Sequence, residues 1–289
     1  MTDYHHPEYL IGPADLEPSL ADENTRVFDA TVFLVPADTG YRAESGRAKY
    51  AQGHVPGSAF MDLIETFADT STGLGFSLPS AQKLQDGFRS IGINDDSRII
   101  FYSTGHMMWA TRAWWLAYYA GLSNIAVLNG GFKRWKRESR SIETGASNYP
   151  EGTVTVRAHA DYFVDKSDVQ SAIEDPHTST VNALSPEVYA GTGDMHYGRR
   201  GHIPGSLNLF YDELMQEGGF CSADNLRTTL NRQGLLDADR VIAYCGGGIS
   251  ATIDAFACLL VGKEDVAVYD GSMSEWVREG LPLTEGNNP

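Results

Sequence analysis

Short apolar runs recur along the chain, separated by stretches in which apolar side chains return at helical spacing. In the first half the runs are Val27-Phe28-Asp29-Ala30, Arg98-Ile99-Ile100-Phe101-Tyr102 and Ile125-Ala126-Val127-Leu128. In the second half they are Val181-Asn182-Ala183, Arg240-Val241-Ile242-Ala243-Tyr244 and Val266-Ala267-Val268-Tyr269. Runs this short and apolar predict strands buried on both faces, and their alternation with amphipathic segments predicts α/β units around a mostly parallel sheet covered by helices on both faces. The clearest predicted helices span Ala110 to Ala120 and Ala251 to Val261. Trp114, Trp115, Tyr118 and Tyr119 of the first read as core and domain-interface packing.

The pattern occurs twice. Gly53-His54-Val55-Pro56-Gly57-Ser58 returns about halfway along the chain as Gly201-His202-Ile203-Pro204-Gly205-Ser206. Each follows a short strand and precedes a helical stretch, a second strand, a loop, a helix, a third strand and a closing turn. The closing turns are Asn129-Gly130-Gly131 and Asp270-Gly271-Ser272. A repeat as long as a domain predicts two domains of one fold, here 1–146 and 147–289. Between Glu143 and Gly152, Thr144-Gly145-Ala146-Ser147-Asn148-Tyr149-Pro150 has linker composition without apolar periodicity.

A net charge of −16 offers no basic face to phosphates and excludes nucleic acid as a partner. It also makes an anionic substrate depend on a local cationic patch, for which Arg199 and Arg200, just before the second turn, are the candidates. Lys133, Arg134, Lys136 and Arg137 read as a solvated helix face. No run reaches the length of a membrane span, and Met1 to Glu8 carries neither a cationic leader nor an apolar stretch. His5-His6 lacks partners at metal-ligand spacing and reads as a disordered tip, so no metal is expected. Three cysteines without framework spacing point to a reducing compartment, the cytoplasm. No Walker loop, dinucleotide fingerprint or zinc pattern is present, so no cofactor is expected.

The chemistry concentrates in Val241 to Thr252, which reads VIAYCGGGISAT. Cys245 ends a predicted strand, where ligands of parallel sheets bind. Gly246, Gly247 and Gly248 allow the positive φ of a tight wrapping loop. Ile249 and Ser250 lead into a helix whose unsatisfied N–H groups and positive dipole end would face the sulfur. Such surroundings lower a thiol pKa from its free value of about 8.5. Cys258 falls on the apolar helix and reads as core. Cys221, in a polar loop, is a candidate to resolve an oxidised Cys245. Aligning the second strands puts Ser103 opposite Cys245, with Thr104 to Trp109 bulky where the second loop is glycine. That predicts a first half without a nucleophile, serving as scaffold and as a wall of the cleft.

The doubled turn, the single glycine-loop cysteine and the ending Asp270-Gly271-Ser272-Met273-Ser274-Glu275-Trp276 resemble the tandem rhodanese-type sulfurtransferases from about Val27 onward. The resemblance implies two rhodanese-like domains, the first inactive and the second catalytic. It implies transfer of sulfane sulfur from thiosulfate or 3-mercaptopyruvate to a thiol or cyanide through a Cys245 persulfide, with a thioredoxin-like reductant among possible partners. N–H groups of Gly246 through Ser250 would stabilise the terminal sulfur anion. Two positions depart from the family pattern. Gly246-Gly247 brings neither the basic residues of the thiosulfate enzymes nor the hydroxyl of the mercaptopyruvate enzymes, which leans toward mercaptopyruvate and leaves thiosulfate open. Asn182-Ala183-Leu184 replaces an expected Asp-Ala-Arg, placing more weight on Arg199 or Arg200. A phosphatase of related fold would need an arginine at the sixth position after the cysteine, where Ala251 stands. A non-catalytic sulfur carrier or regulatory module working with a partner protein is the remaining alternative.

Overall fold

The computed structural model describes residues 3–36 and 41–289; Met1 and Thr2, part of the N-terminal segment read as leaderless, lie outside them. The first domain runs β1 (Leu10–Ile11), α1 (Pro13–Ser19), β2 (Thr25–Asp29), β3 (Val32–Pro36), β4 (Tyr41–Ser45), α2 (Arg47–Gln52), β5 (Ala59–Phe60), α3 (Ala81–Ser90), β6 (Arg98–Tyr102), α4 (Met108–Tyr119), β7 (Ile125–Leu128) and α5 (Gly131–Arg137). The second runs β8 (Phe163–Val164), α6 (Lys166–Ala172), β9 (Thr178–Asn182), α7 (Pro186–Ala190), β10 (Leu207–Asn208), β11 (Met215–Gln216), β12 (Gly219–Phe220), α8 (Ala223–Arg232), β13 (Arg240–Tyr244), α9 (Ala251–Leu260), β14 (Val266–Tyr269) and α10 (Ser272–Arg278).

Each domain holds one five-stranded sheet, ordered β1-β7-β6-β2-β5 in the first and, read in the matching direction, β8-β14-β13-β9-β10 in the second. All pairings within the two sheets are parallel. Both faces of the first sheet are buried, which explains strands without polar alternation. Ile99 and Phe101 of β6 face a core shared with α3 and α4. Ile100 and Tyr102 face a smaller one with Leu16, Phe132 and Trp135. The larger core continues into the second domain.

The repeated turn serves the strand that leads to the loop. In the second domain, the Tyr244 hydroxyl accepts from Ile203 N–H at 3.1 Å and pairs with Ser206 Oγ at 2.7 Å. Tyr102 does the same with Val55 N–H and Ser58 Oγ, at 3.3 and 2.9 Å. His202 stacks on Tyr189 and His54 on Tyr50. Each turn thus pins the tyrosine that ends β13 or β6, one residue before Cys245 or Ser103.

The equivalent helices α4 and α9 meet at the domain interface, where Thr111 Oγ1 lies 2.7 Å from Thr252 Oγ1 and Trp114 packs edge-on against Phe256. The segment read as a linker is irregular, as its composition predicts, yet it is not free. Gly145 N–H bonds to Ala51, the Tyr149 hydroxyl accepts from Val27 N–H, and Gly152 N–H bonds to Arg89. His5-His6 is likewise not a loose tip: His5 N–H donates to Leu260 O at 2.8 Å and His6 pairs with Glu264. Composition could not show this, because the partners lie in the far domain.

Candidate active site

Cys245 directly follows β13, at the centre of the second sheet, and its loop ends at α9. It is 2% exposed. Of the main-chain N–H groups expected to wrap the sulfur, the one that reaches it is Ile249, at 3.2 Å. The peptide joining Gly248 to Ile249 is held at both ends. Its N–H faces Cys245 Sγ, and its carbonyl accepts from Arg112 Nη1 at 3.1 Å. Because N–H and C=O point opposite ways across a trans peptide, gripping the carbonyl aims the N–H.

Arg112 comes from α4 of the other domain and is almost wholly buried. Its Nη2 donates to Asp270 at 2.7 Å and to the Phe76 carbonyl at 2.5 Å, and its guanidinium lies over the Phe163 ring. Asp270 also accepts from Leu78 N–H at 2.6 Å. The Asp270-Gly271-Ser272 turn therefore docks the first domain onto the Cys245 loop. Ser272 completes the loop: its Oγ accepts from Cys245 N–H and Gly248 N–H, both at 3.0 Å, and donates to Tyr269 O. The Gly248 N–H is thereby directed to Ser272, not to the sulfur.

The three glycines do different things. Gly248 alone of them has a left-handed backbone, at φ 71°. Gly246 makes room, since a Cβ there would lie 2.0 Å from the Tyr197 hydroxyl. Gly247 meets nothing closer than the Gly75 carbonyl, 3.8 Å from an added Cβ.

In the first domain, Ser103 takes the equivalent place, with Phe132 N–H donating to Ser103 O at 3.1 Å just as Met273 N–H donates to Cys245 O at 3.0 Å. Gly131 stands where the second domain has Ser272, so no hydroxyl at that position ties the loop; Thr31 Oγ1 accepts from Thr104 N–H at 2.8 Å instead. Ser103 Oγ accepts from Gly105 N–H and lies 3.3 Å from Thr31 Oγ1, which in turn bonds to Asp29. Burial pushes the Asp29 carboxyl up to about 6.

The rhodanese-like domain pattern matches residues 13–138 and again residues 165–279. The chain belongs to the rhodanese-like family. A 3-mercaptopyruvate sulfurtransferase of Escherichia coli (strain K12) is 30% identical over 95% of this chain and 97% of its own. A thiosulfate sulfurtransferase of Mus musculus is 32% identical over 93% and 89%. The crystal structure of SseA from Escherichia coli, a 3-mercaptopyruvate sulfotransferase, superposes with a TM-score of 0.81 at 28% identity, covering 91% of this chain and 98% of that one.

Several features of this rhodanese-like site lie beyond its sequence signature. Tyr197 stands against Gly246, and burial, then the charge of Cys245, raises its pKa. Tyr211 is raised too, by burial, then by the charge of Asp212 and of Cys245. Asp254, on α9, is fully buried with neither carboxylate oxygen hydrogen-bonded, so burial and then Cys245 hold its carboxyl well above the ordinary range. None of the three sits in a motif, so no local signal marked them.

Arg199 and Arg200 make no hydrogen bond to the Cys245 loop among the described residues. Arg199 donates to the Leu281 carbonyl at 2.7 Å and Arg200 to the carbonyls of Gly191 and Gly193, beside an open cavity shared with His196 and Glu285. Cys221 and Cys258 are buried free thiols, both with pKa raised by burial, which works against a resolving role for Cys221. Among the described residues no helix is long and apolar enough to cross a membrane.

Proposed function

We propose that the protein moves sulfane sulfur through a persulfide on Cys245, taking it from 3-mercaptopyruvate or thiosulfate and passing it to a thiol or cyanide. The Cys245 thiolate attacks the outer sulfur of the donor. The bond to that sulfur breaks, and its electron pair leaves on pyruvate enolate, which takes up a proton, or on sulfite. The enzyme is left with Cys–S–S⁻, and attack by the acceptor on the terminal sulfur returns the thiolate. No redox partner is required, although a thioredoxin-like dithiol would serve as an acceptor.

The observation that carries this reading is the Ile249 N–H, 3.2 Å from a buried sulfur at a strand end and held there by a peptide anchored on Arg112. A donor fixed before reaction favours the sulfur anion without reorganisation. Gly246, Gly247, Gly248 and Ser250 shape the cradle around that donor. Between Cys245 and Ser250 no side chain carries positive charge, and Arg199 and Arg200 are engaged with main-chain carbonyls, which leans the donor toward mercaptopyruvate. We take residues 1–146 as a non-catalytic domain and 147–289 as the catalytic one. We place the protein in the cytoplasm, where its free thiols stay reduced.

Intact mass after incubation with each donor tests the reading. One added sulfur on the peptide bearing Cys245 is expected, and Cys245→Ser is expected to load none. Multiple turnovers with cyanide support the enzyme. Loading once without turnover would support a carrier, and loading on Cys221 or Cys258 would overturn the assignment.

A further inference from the structure

His5 and His6 take no part in sulfur chemistry, yet they converge with Glu264 from the turn between α9 and β14. His6 Nε2 lies 2.7 Å and His5 Nε2 3.9 Å from Glu264 Oε1. One donor atom from each residue falls within 4.8 Å of the others. Donor atoms around one zinc, each about 2.0–2.2 Å from it, lie roughly 3–3.5 Å apart. The exposed side chains of His5 and Glu264, 58% and 55% accessible, need only small rotations to reach that spacing.

Two further observations show a site held in shape. Glu8 Oε1 lies 2.8 Å from His6 Nδ1. A carboxylate on the outer nitrogen fixes the tautomer and leaves Nε2 as the ligating atom, the arrangement found around metal-bound histidines. Both rings are also positioned. His6 stacks on Tyr9 with centroids 4.6 Å apart, and the His5 ring lies so close to Gly262 that a Cβ there would come within 2.9 Å of it. Glu8, Glu264 and the net charge of −16 favour a cation.

We propose that His5, His6 and Glu264 bind a divalent late-transition ion, with zinc the best fit to two imidazoles and one carboxylate, and a fourth position open to water. The ion would fasten the N-terminal segment to the second domain and stabilise the folded chain. This inference is independent of the persulfide chemistry.

The test uses the untagged full-length chain carrying Cys245→Ser, so that zinc is not taken by the reactive thiol. Calorimetric titration with zinc chloride is expected to give one site per chain, and one equivalent is expected to raise Tm. Glu264→Gln and His6→Ala, added singly, are each expected to weaken binding at least tenfold and to abolish the rise in Tm. Glu8→Gln is expected to weaken it about tenfold or more through the lost second contact. With Cys245 restored, these variants are expected to keep the parent sulfur-transfer rate, which shows that they fold. On the same Cys245→Ser chain, cobalt(II) is expected to give ligand-field absorption without thiolate charge transfer. Absence of a site, affinity unchanged in Glu264→Gln or His6→Ala, or thiolate charge-transfer bands would each overturn the proposal.

Discussion

Arg112→Lys tests how the Cys245 loop is held. The arginine reaches three acceptors: the Gly248 carbonyl at 3.1 Å, Asp270 at 2.7 Å and the Phe76 carbonyl at 2.5 Å. A lysine keeps the charge opposite Asp270 but lacks the planar fork that serves the two carbonyls as well. Releasing the Gly248 carbonyl frees the peptide whose N–H meets Cys245. A hydrogen bond to a charged group contributes about 1.5–3 kcal/mol, and about 1.4 kcal/mol is tenfold in rate. The rate of persulfide formation is therefore expected to fall roughly ten- to 150-fold, with a smaller change in KM.

Arg112→Ala removes one partner of a buried ion pair, a change that costs about 3–5 kcal/mol. The lower part of that range is expected, because Asp270 retains the Leu78 N–H and its side chain is 16% exposed. Single-turnover loading followed by intact mass, together with denaturant unfolding, separates the two effects. Thr111→Val is the control at the same interface. It removes the contact with Thr252 and is expected to cost about 1 kcal/mol of stability while sparing the loading rate. If Arg112→Lys loads at the parent rate, or Thr111→Val slows loading equally, the peptide-aiming argument is wrong.

Gly246→Ala is expected to abolish loading, because its methyl would collide with Tyr197. Adding Tyr197→Ala is expected to restore part of the rate, and no rescue would remove Tyr197 as the cause. At Gly247 an added Cβ makes only ordinary contact with the Gly75 carbonyl, 3.8 Å away, so Gly247→Lys is expected to leave Tm unchanged and to raise the ratio of kcat/KM for thiosulfate over mercaptopyruvate; a constant ratio would show that loop charge does not set donor choice. For Asp254 the folded carboxyl keeps its proton well above the pH at which the unfolded chain releases it. Its contribution to stability is therefore greatest below the ordinary carboxylate pKa of about 3.9 and declines as pH rises above that value. Asp254→Asn is expected to match the parent near pH 4 and to gain on it toward pH 7 in denaturant unfolding, whereas parallel profiles would show that the carboxyl is not held neutral.

The amino-acid sequence by itself determined the doubled order of elements, the parallel sheets and the place of the sulfur. Apolar periodicity records how each strand and helix is buried against its own sheet, and Cys245, its glycines and the start of α9 are covalent neighbours. Ser103 could be aligned with Cys245 for the same reason. Tertiary structure alone decided what surrounds the sulfur. Arg112, Ser272 and Tyr197 act through packing between segments distant in the chain, and such contacts leave no local spacing to read. Only folding assigned the glycines their separate tasks, since a left-handed backbone at Gly248 and close approach at Gly246 depend on Asp270 and Tyr197. The same holds for the docked linker, whose partners belong to the folded first domain, and for His5-His6, whose partners arrive only when the two domains close on each other.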